Sequence, residues 1–264
     1  MALSERRIRM KRYYFDTEEF WCGLPGRRIY GILYRPKSIV NPPLIIFSHE
    51  MGNTHTSGIR YAESLASDGI AVYVYDIRGG SEHSKSEGSM FELSAFTVAD
   101  DLSQIMDDLI QSNLFDSTRI VLLGASLGGF ASAVTAMRYP DIIAGLILLY
   151  PGFVLIEDLH RDFETLDQIP DSFIFNKWFS VGRCFASDVW SFDPYSQIGK
   201  YKKPVLILHG DSDPLLPASW SLMTASSYPY PIFHIIKGGQ HGFKGSALHD
   251  ALTHIRCYLK RYVI

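Results

Sequence analysis

Residues 120–129, Ile-Val-Leu-Leu-Gly-Ala-Ser-Leu-Gly-Gly, constrain the fold more than any other stretch. The run opens apolar and β-branched, which reads as a buried strand, and a helical pattern follows from Phe130 to Arg138. Between them lies Gly-x-Ser-x-Gly. A strand that turns into a helix at a serine strains that residue's backbone and pushes its hydroxyl clear of the sheet. Gly124 and Gly128 leave room for the turn. The helix N-terminus brings unpaired N–H groups and partial positive charge to the same spot. Ser126 is therefore the candidate nucleophile.

The flanking chain repeats this alternation. Leu44–Phe47 is continuously apolar and reads as a strand buried on both faces, and the largely apolar runs Ile70–Tyr75, Ile142–Leu149, Pro204–Leu208 and Ile232–Ile236 read as further strands. Helical spacing falls between them near residues 57–67, 96–110, 218–226 and 247–262. Two earlier strands are expected at Arg9–Phe15 and Arg28–Tyr34, around the turn cluster Gly23-Leu24-Pro25-Gly26. The expectation is an α/β protein with a mostly parallel sheet, helices on both faces and functional loops beyond the carboxyl ends of the strands. A chain of 264 residues suffices for one large core.

A serine hydroxyl needs a base, and the base needs an orienting group. Six histidines follow Ser126. His249 and His254 fall in the last helical pattern, His234 in a strand, His209 at a strand end and His160 in the irregular middle. His241 lies in the glycine-rich loop Lys237-Gly238-Gly239-Gln240-His241-Gly242-Phe243 and is the candidate base. Two aspartates follow the penultimate strand. Asp211 suits a turn, whereas Asp213, fixed by Pro214, is the candidate acid, with Asp193 as an outside choice. The backbone N–H groups of Leu127 and Met51 are the candidate oxyanion donors, and His49 is read as a ring that pins its loop. Arg78 is read as tying down its own loop, and His83 with Glu82 as solvated residues rather than metal ligands.

Alternation stops between Gly152 and Phe192. This segment holds nine aromatics in 41 residues, well above the 13% of the whole chain. An insertion at this point would sit over Ser126. The division expected is a core of 1–151 and 193–264 with a lid of 152–192. Most of its rings should form the lid's own small core, and Trp178 and Phe179 are the candidate substrate-binding residues.

Taken together, His49-Glu50-Met51-Gly52, Asp76-Ile77-Arg78-Gly79, Gly124-Ala125-Ser126-Leu127-Gly128, His209-Gly210-Asp211-Ser212-Asp213 and His241-Gly242-Phe243 resemble the α/β-hydrolase superfamily over nearly the whole chain. Size and lid position resemble the bacterial cinnamoyl (feruloyl) esterases, which cleave esters of hydroxycinnamic acids and many simple esters. That group carries glycine after the histidine where this chain has Glu50. If the loop needs positive φ there, Glu50 is strained and glycine at this position is tolerated.

The resemblance implies a cofactor-free serine carboxylesterase acting through an acyl-enzyme on a small-molecule ester. The alternatives are a peptidase or amide hydrolase with the same residues, and a non-catalytic binding protein of the same fold. A net charge of −3 without basic runs gives no reason to expect nucleic acid or a membrane surface as partner. Three scattered cysteines make neither a disulfide framework nor a metal site. No apolar stretch follows the charged residues Glu5, Arg6, Arg7 and Arg9, so the expected location is cytoplasmic. A homodimer is left open.

Overall fold

A computed structural model describes residues 12–264. In chain order the elements are β1 Phe15–Cys22, β2 Ile29–Pro36, β3 Leu44–Ser48, α1 Ile59–Ala66, β4 Ala71–Tyr75, α2 Ala95–Gln111, β5 Ile120–Ala125, α3 Leu127–Arg138 and β6 Ile143–Leu149. There follow α4 Leu155–Asp162, β7 Ser172–Phe175, β8 Phe179–Gly182, α5 Cys184–Ser187, α6 Pro194–Gln197, β9 Val205–Gly210, α7 Ala218–Ser226, β10 Pro231–Ile236 and α8 Gly245–Tyr262.

Eight strands form one sheet in the order β1-β2-β4-β3-β5-β6-β9-β10. Strand β2 runs antiparallel to β1 and β4, and all pairings from β4 to β10 are parallel. The continuous apolar runs follow from burial on two faces. In β3, Leu44 and Ile46 join the core that contains α2 and α3, while Ile45 and Phe47 join the core that contains α1 and α8. Strand β5 divides in the same way, Ile120 and Leu122 against Val121 and Leu123. Alternation of side chains across a strand fills two cores from one sequence run.

One expected strand is displaced. Of Arg9–Phe15, residues 9–11 lie outside the described residues, and the observed edge strand runs from Phe15 to Cys22. Asp16, Glu18 and Glu19 face solvent on this edge, so no apolar run announces it. Its pairing is made by backbone bonds to β2, and its inner contact is Phe20 edge-on to Tyr73 at 6.1 Å.

Between β6 and α6 the chain forms α4, the β7–β8 hairpin and α5. Its rings pack largely on one another and on the helices below. Phe153 meets Phe130 at 4.7 Å, Phe163 meets Phe173 at 5.1 Å, Phe175 meets Phe185 at 4.8 Å and Phe192 meets Phe96 at 5.1 Å. Polar ties fix the segment further. Ser94 Oγ donates to Asp188 Oδ2 at 2.6 Å, and the Arg183 guanidinium donates to the carbonyls of Leu166 and Ile169. Asn176 and Lys177, at the hairpin tip, both have positive φ. Among the described residues no helix is long and apolar enough to cross a membrane.

Candidate active site

Strand β5 ends at Ala125 and α3 begins at Leu127, so Ser126 alone makes the turn, with φ 52° and ψ −119°. For a residue with a side chain such backbone costs on the order of 1–3 kcal/mol. The surroundings hold it there. Ser126 N donates to Leu149 O at 3.0 Å, and Ser126 O accepts from Gly152 N at 2.9 Å and Phe130 N at 3.1 Å. The two flanking glycines are required by close approach. A Cβ on Gly124 would stand 2.2 Å from Gly128 O, and one on Gly128 would stand 2.2 Å from Ser48 O.

His241, beyond β10, donates from Nδ1 to Asp213 Oδ2 at 2.8 Å. Asp213 Oδ1 accepts from Leu215 N at 2.8 Å and Leu216 N at 3.0 Å, and its carboxyl is fully shielded from solvent. Burial alone would raise the pKa of Asp213. The bond from His241 and the two N–H donors outweigh burial and hold it below the ordinary carboxylate value. An ionised Asp213 requires the proton on Nδ1 of His241, which leaves Nε2 with its lone pair in the neutral ring.

Nearby polar groups are spent on holding the loops. His209 Nε2 donates to Leu216 O at 2.8 Å, Ser221 Oγ donates to His209 Nδ1 at 2.6 Å, and burial lowers the pKa of this ring. His49 Nδ1 donates to Glu50 O at 2.7 Å, and its Nε2 accepts from Ile77 N at 2.9 Å. Burial lowers its pKa as well, so it is a neutral pin between the loops after β3 and β4. Asp211 Oδ1 accepts from Gly238 N at 2.7 Å and Ser212 Oγ at 2.9 Å, the turn role its position suggests. Asp193 caps α6, accepting from Tyr195 N at 3.1 Å, and so the outside choice for the acid is corrected. Arg78 donates from Nε to Asp101 Oδ2 at 2.8 Å. Of the remaining histidines, His160 bonds Trp190 O at 3.0 Å and His234 stacks on His254 at 4.0 Å. His249 lies on α8. Among the described residues no group of three or more His, Cys, Asp or Glu is arranged to hold a metal.

Ser126 and His241 line one cavity of about 770 Å³, together with Met51 and Leu127. Leu127 is the first residue of α3, where an N–H has no acceptor inside the helix. Phe175, Trp178, Phe179 and Phe185 supply aromatic wall to the same cavity. The two rings singled out from the sequence differ. Trp178 is 81% exposed at the hairpin tip, whereas Phe179 is half-buried against the Gly52 backbone, where a Cβ would stand 2.7 Å from its ring.

Glu50 is not strained. The non-glycine residues with positive φ are Asn41, Asn113, Ser126, Tyr150, Asn176 and Lys177 among the described residues, so the expectation for position 50 is corrected. Glu50 is buried and lines the cavity, and Oε1 accepts from the Tyr150 hydroxyl at 2.7 Å. The strain sits on Tyr150 instead, at φ 37° just after β6. Sequence reasoning passed over Tyr150 because it continues an apolar strand. Its one local signal is the following Pro151-Gly152.

Sheet order, the strained serine after β5, and the acid and histidine after β9 and β10 define an α/β hydrolase. Within that class the chain belongs to the family described as serine aminopeptidase, S33, whose profile matches residues 41–182. Its relatives include proline iminopeptidase of Saccharolobus solfataricus, 28% identical over 180 residues, which are 66% of this chain and 54% of that protein. Protein phosphatase methylesterase 1 of Candida albicans is 30% identical over 134 residues, covering 50% of this chain and 35% of that one. The chain thus spans about half or less of these relatives. Among solved structures, Est1E from Butyrivibrio proteoclasticus with ferulic acid bound superposes with a TM-score of 0.81 at 23% identity, over 91% of this chain and 98% of that one.

Proposed function

We propose that the protein is a serine carboxylesterase. The observation that carries this reading is the Asp213–His241 bond at 2.8 Å, made at the cavity that Ser126 lines from its strained turn. Ser126 Oγ attacks the ester carbonyl while His241 Nε2 takes its proton. Asp213 stabilises the imidazolium that forms, and His241 then hands the proton to the departing alcohol. Water, activated by the same histidine, releases the acid from the acyl-enzyme. The N–H groups of Met51 and Leu127 receive the developing oxyanion, each such donor contributing about 3 kcal/mol to the transition state.

Residues 152–192 act as the lid of this site. The aromatic wall of Phe175, Phe179 and Phe185 suits an aryl acyl group, since ring pairs add about 1 kcal/mol beyond area burial. The likeness to ferulate-bound Est1E supports a hydroxycinnamoyl ester as substrate. The family description and the iminopeptidase relative favour a second reading, hydrolysis of an aminoacyl amide by the same groups.

Labelling by a fluorophosphonate tests the nucleophile: wild type should label at Ser126 and Ser126→Ala should not. No labelling of folded wild type would leave a binding protein. Turnover of a hydroxycinnamoyl ester against an aminoacyl amide then separates the two chemistries.

A further inference from the structure

Tyr150 is almost wholly buried, and its backbone lies in a region that side chains avoid. Its N–H donates to Leu208 O at 2.8 Å, which ties it to β9, the strand that leads to Asp213. Its ring lies 4.6 Å from the ring of His241 at 52°, and meets Phe243 edge-on at 5.1 Å. One aromatic side chain therefore braces both the base and Phe243, two residues beyond it. Its hydroxyl donates to Glu50 Oε1 at 2.7 Å, and the other oxygen of Glu50 accepts from Asn53 Nδ2 at 3.3 Å. Glu50 is the residue before Met51.

We propose that Glu50 and Tyr150 are a pair of positioning residues: their hydrogen bond couples the oxyanion loop to the platform on which the His241 ring rests.

This inference rests on the esterase reading of the site. Asp213 fixes one nitrogen of His241 but leaves the ring free to rock about that bond. Packing by Tyr150 limits the rocking, so that Nε2 is held in one orientation at the cavity that Ser126 also lines. Burial, with the charge of Glu50 added, pushes the Tyr150 hydroxyl well above its ordinary pKa, so it remains a donor. The same bond ties down Glu50 beside Met51, so base and oxyanion donor are held by one contact. Misplacing a reacting group by about 1 Å can cost up to about a hundredfold in rate. Because the pair acts on alignment, its loss belongs in kcat. Glu50 also lines the cavity, and a direct contact with substrate would appear in KM instead.

The test uses Tyr150→Phe, Glu50→Ala, Glu50→Gln and the double variant Glu50→Ala/Tyr150→Phe. The readouts are kcat and KM on a hydroxycinnamoyl ester and the rate of fluorophosphonate labelling. Tyr150→Phe and Glu50→Ala should each lower kcat and labelling rate by about tenfold or more, with KM within about twofold of wild type. Glu50→Gln keeps an acceptor for the hydroxyl and should recover kcat to within about threefold. The double variant should be no slower than the slower single one, because both changes remove the same bond. Tyr150→Phe deletes a single oxygen, so it reads out the pair even if Glu50→Ala does not fold. A wild type that neither labels nor turns over an ester ends the esterase reading and this inference with it. A wild type that labels, with Tyr150→Phe labelling equally fast, leaves the esterase reading standing and overturns the inference alone. So does a loss confined to KM, or a Glu50→Gln as slow as Glu50→Ala.

Discussion

His241 donates Nδ1–H to Asp213 Oδ2 at 2.8 Å although the two residues leave the sheet from different strands, β10 and β9. The strands are parallel neighbours, so their carboxyl ends open side by side and the two loops meet. Asp213 also takes two backbone N–H groups of its own loop, which fixes the carboxylate independently of the histidine. Removing the charge at 213 should lower kcat by about two to four orders of magnitude in Asp213→Asn, because the amide favours the wrong tautomer of His241. Asp211→Asn should cost far less, since Asp211 only braces the turn through Gly238 N. Steady-state kinetics of the two variants decides this. A larger loss in Asp211→Asn would reverse the assignment.

Ser126→Ala should reduce ester turnover by about four to six orders of magnitude while the protein stays folded. Removing Oγ leaves the backbone bonds to Leu149, Gly152 and Phe130 in place. Circular dichroism and activity on the same sample are the measurements. Substantial residual turnover in pure mutant protein would exclude Ser126 as the nucleophile.

Gly128→Ala should be strongly destabilised, by about 2 kcal/mol or more, because its methyl would meet the carbonyls of Ser48 and His49 within 2.6 Å. Gly124→Ala meets Gly128 O and should behave alike. Denaturant midpoints would show the loss. Near-wild-type stability of either variant would mean that β3, β5 and α3 can separate at this point.

Stability should depend on pH from the histidine range downward. His49 and His209 are held neutral by burial, with folded pKa values below the ordinary 6.5. Above 6.5 both are neutral in the folded and unfolded chain. As pH falls through 6.5 toward the folded values, the unfolded chain binds protons that the folded chain refuses. The stability present above 6.5 is then lost at about 1.4 kcal/mol per pH unit for each ring. The depressed Asp213 adds a similar loss below about 3.8, its unfolded value. Thermal midpoints should hold level from pH 8 to 7 and drop below 6.5, with a shallower drop in His209→Gln. A wild-type midpoint that stays level down to pH 5 would contradict this account.

Phe179→Ala should lower kcat/KM for a hydroxycinnamoyl ester by about tenfold relative to an acetate of the same alcohol, and Trp178→Ala by less. The half-buried Phe179 ring rests on the Gly52 backbone, whereas Trp178 is mostly in solvent. Both esters assayed on wild type and both variants provide the comparison. Equal losses on the two esters would show that Phe179 holds the lid in place rather than selecting the acyl group.

The parallel strands were legible because each carries a largely apolar run, broken only by His234 in β10 and by polar residues at the ends of β3 and β9, and α2, α3 and α8 because their apolar residues keep helical spacing. Strand β1 was not, since an edge strand with Asp16, Glu18 and Glu19 in water shows no such run. The β7–β8 hairpin was hidden for a different reason. Phe173 and Phe175 turn inward two residues apart, but the strand is four residues long and the exposed Ile174 between them is apolar too, so no polar–apolar alternation marks it.

Ser126, its two glycines and the placement of His241 in a loop could be read from the chain because a strained turn and a loop histidine are local events, written in adjacent residues. Asp213 is already the candidate acid in the sequence, from its place after the penultimate strand; what the fold adds is that Asp213 meets His241 while Asp193 is spent on capping α6. Glu50 shows the limit most clearly. In the sequence it is an anomaly where glycine is usual. In the fold it faces Tyr150, a hundred residues away, and the strain expected at one position is found at the other. Local backbone preference acts between neighbours in the chain, whereas a buried carboxylate takes its partner from whatever strand end the sheet order brings beside it.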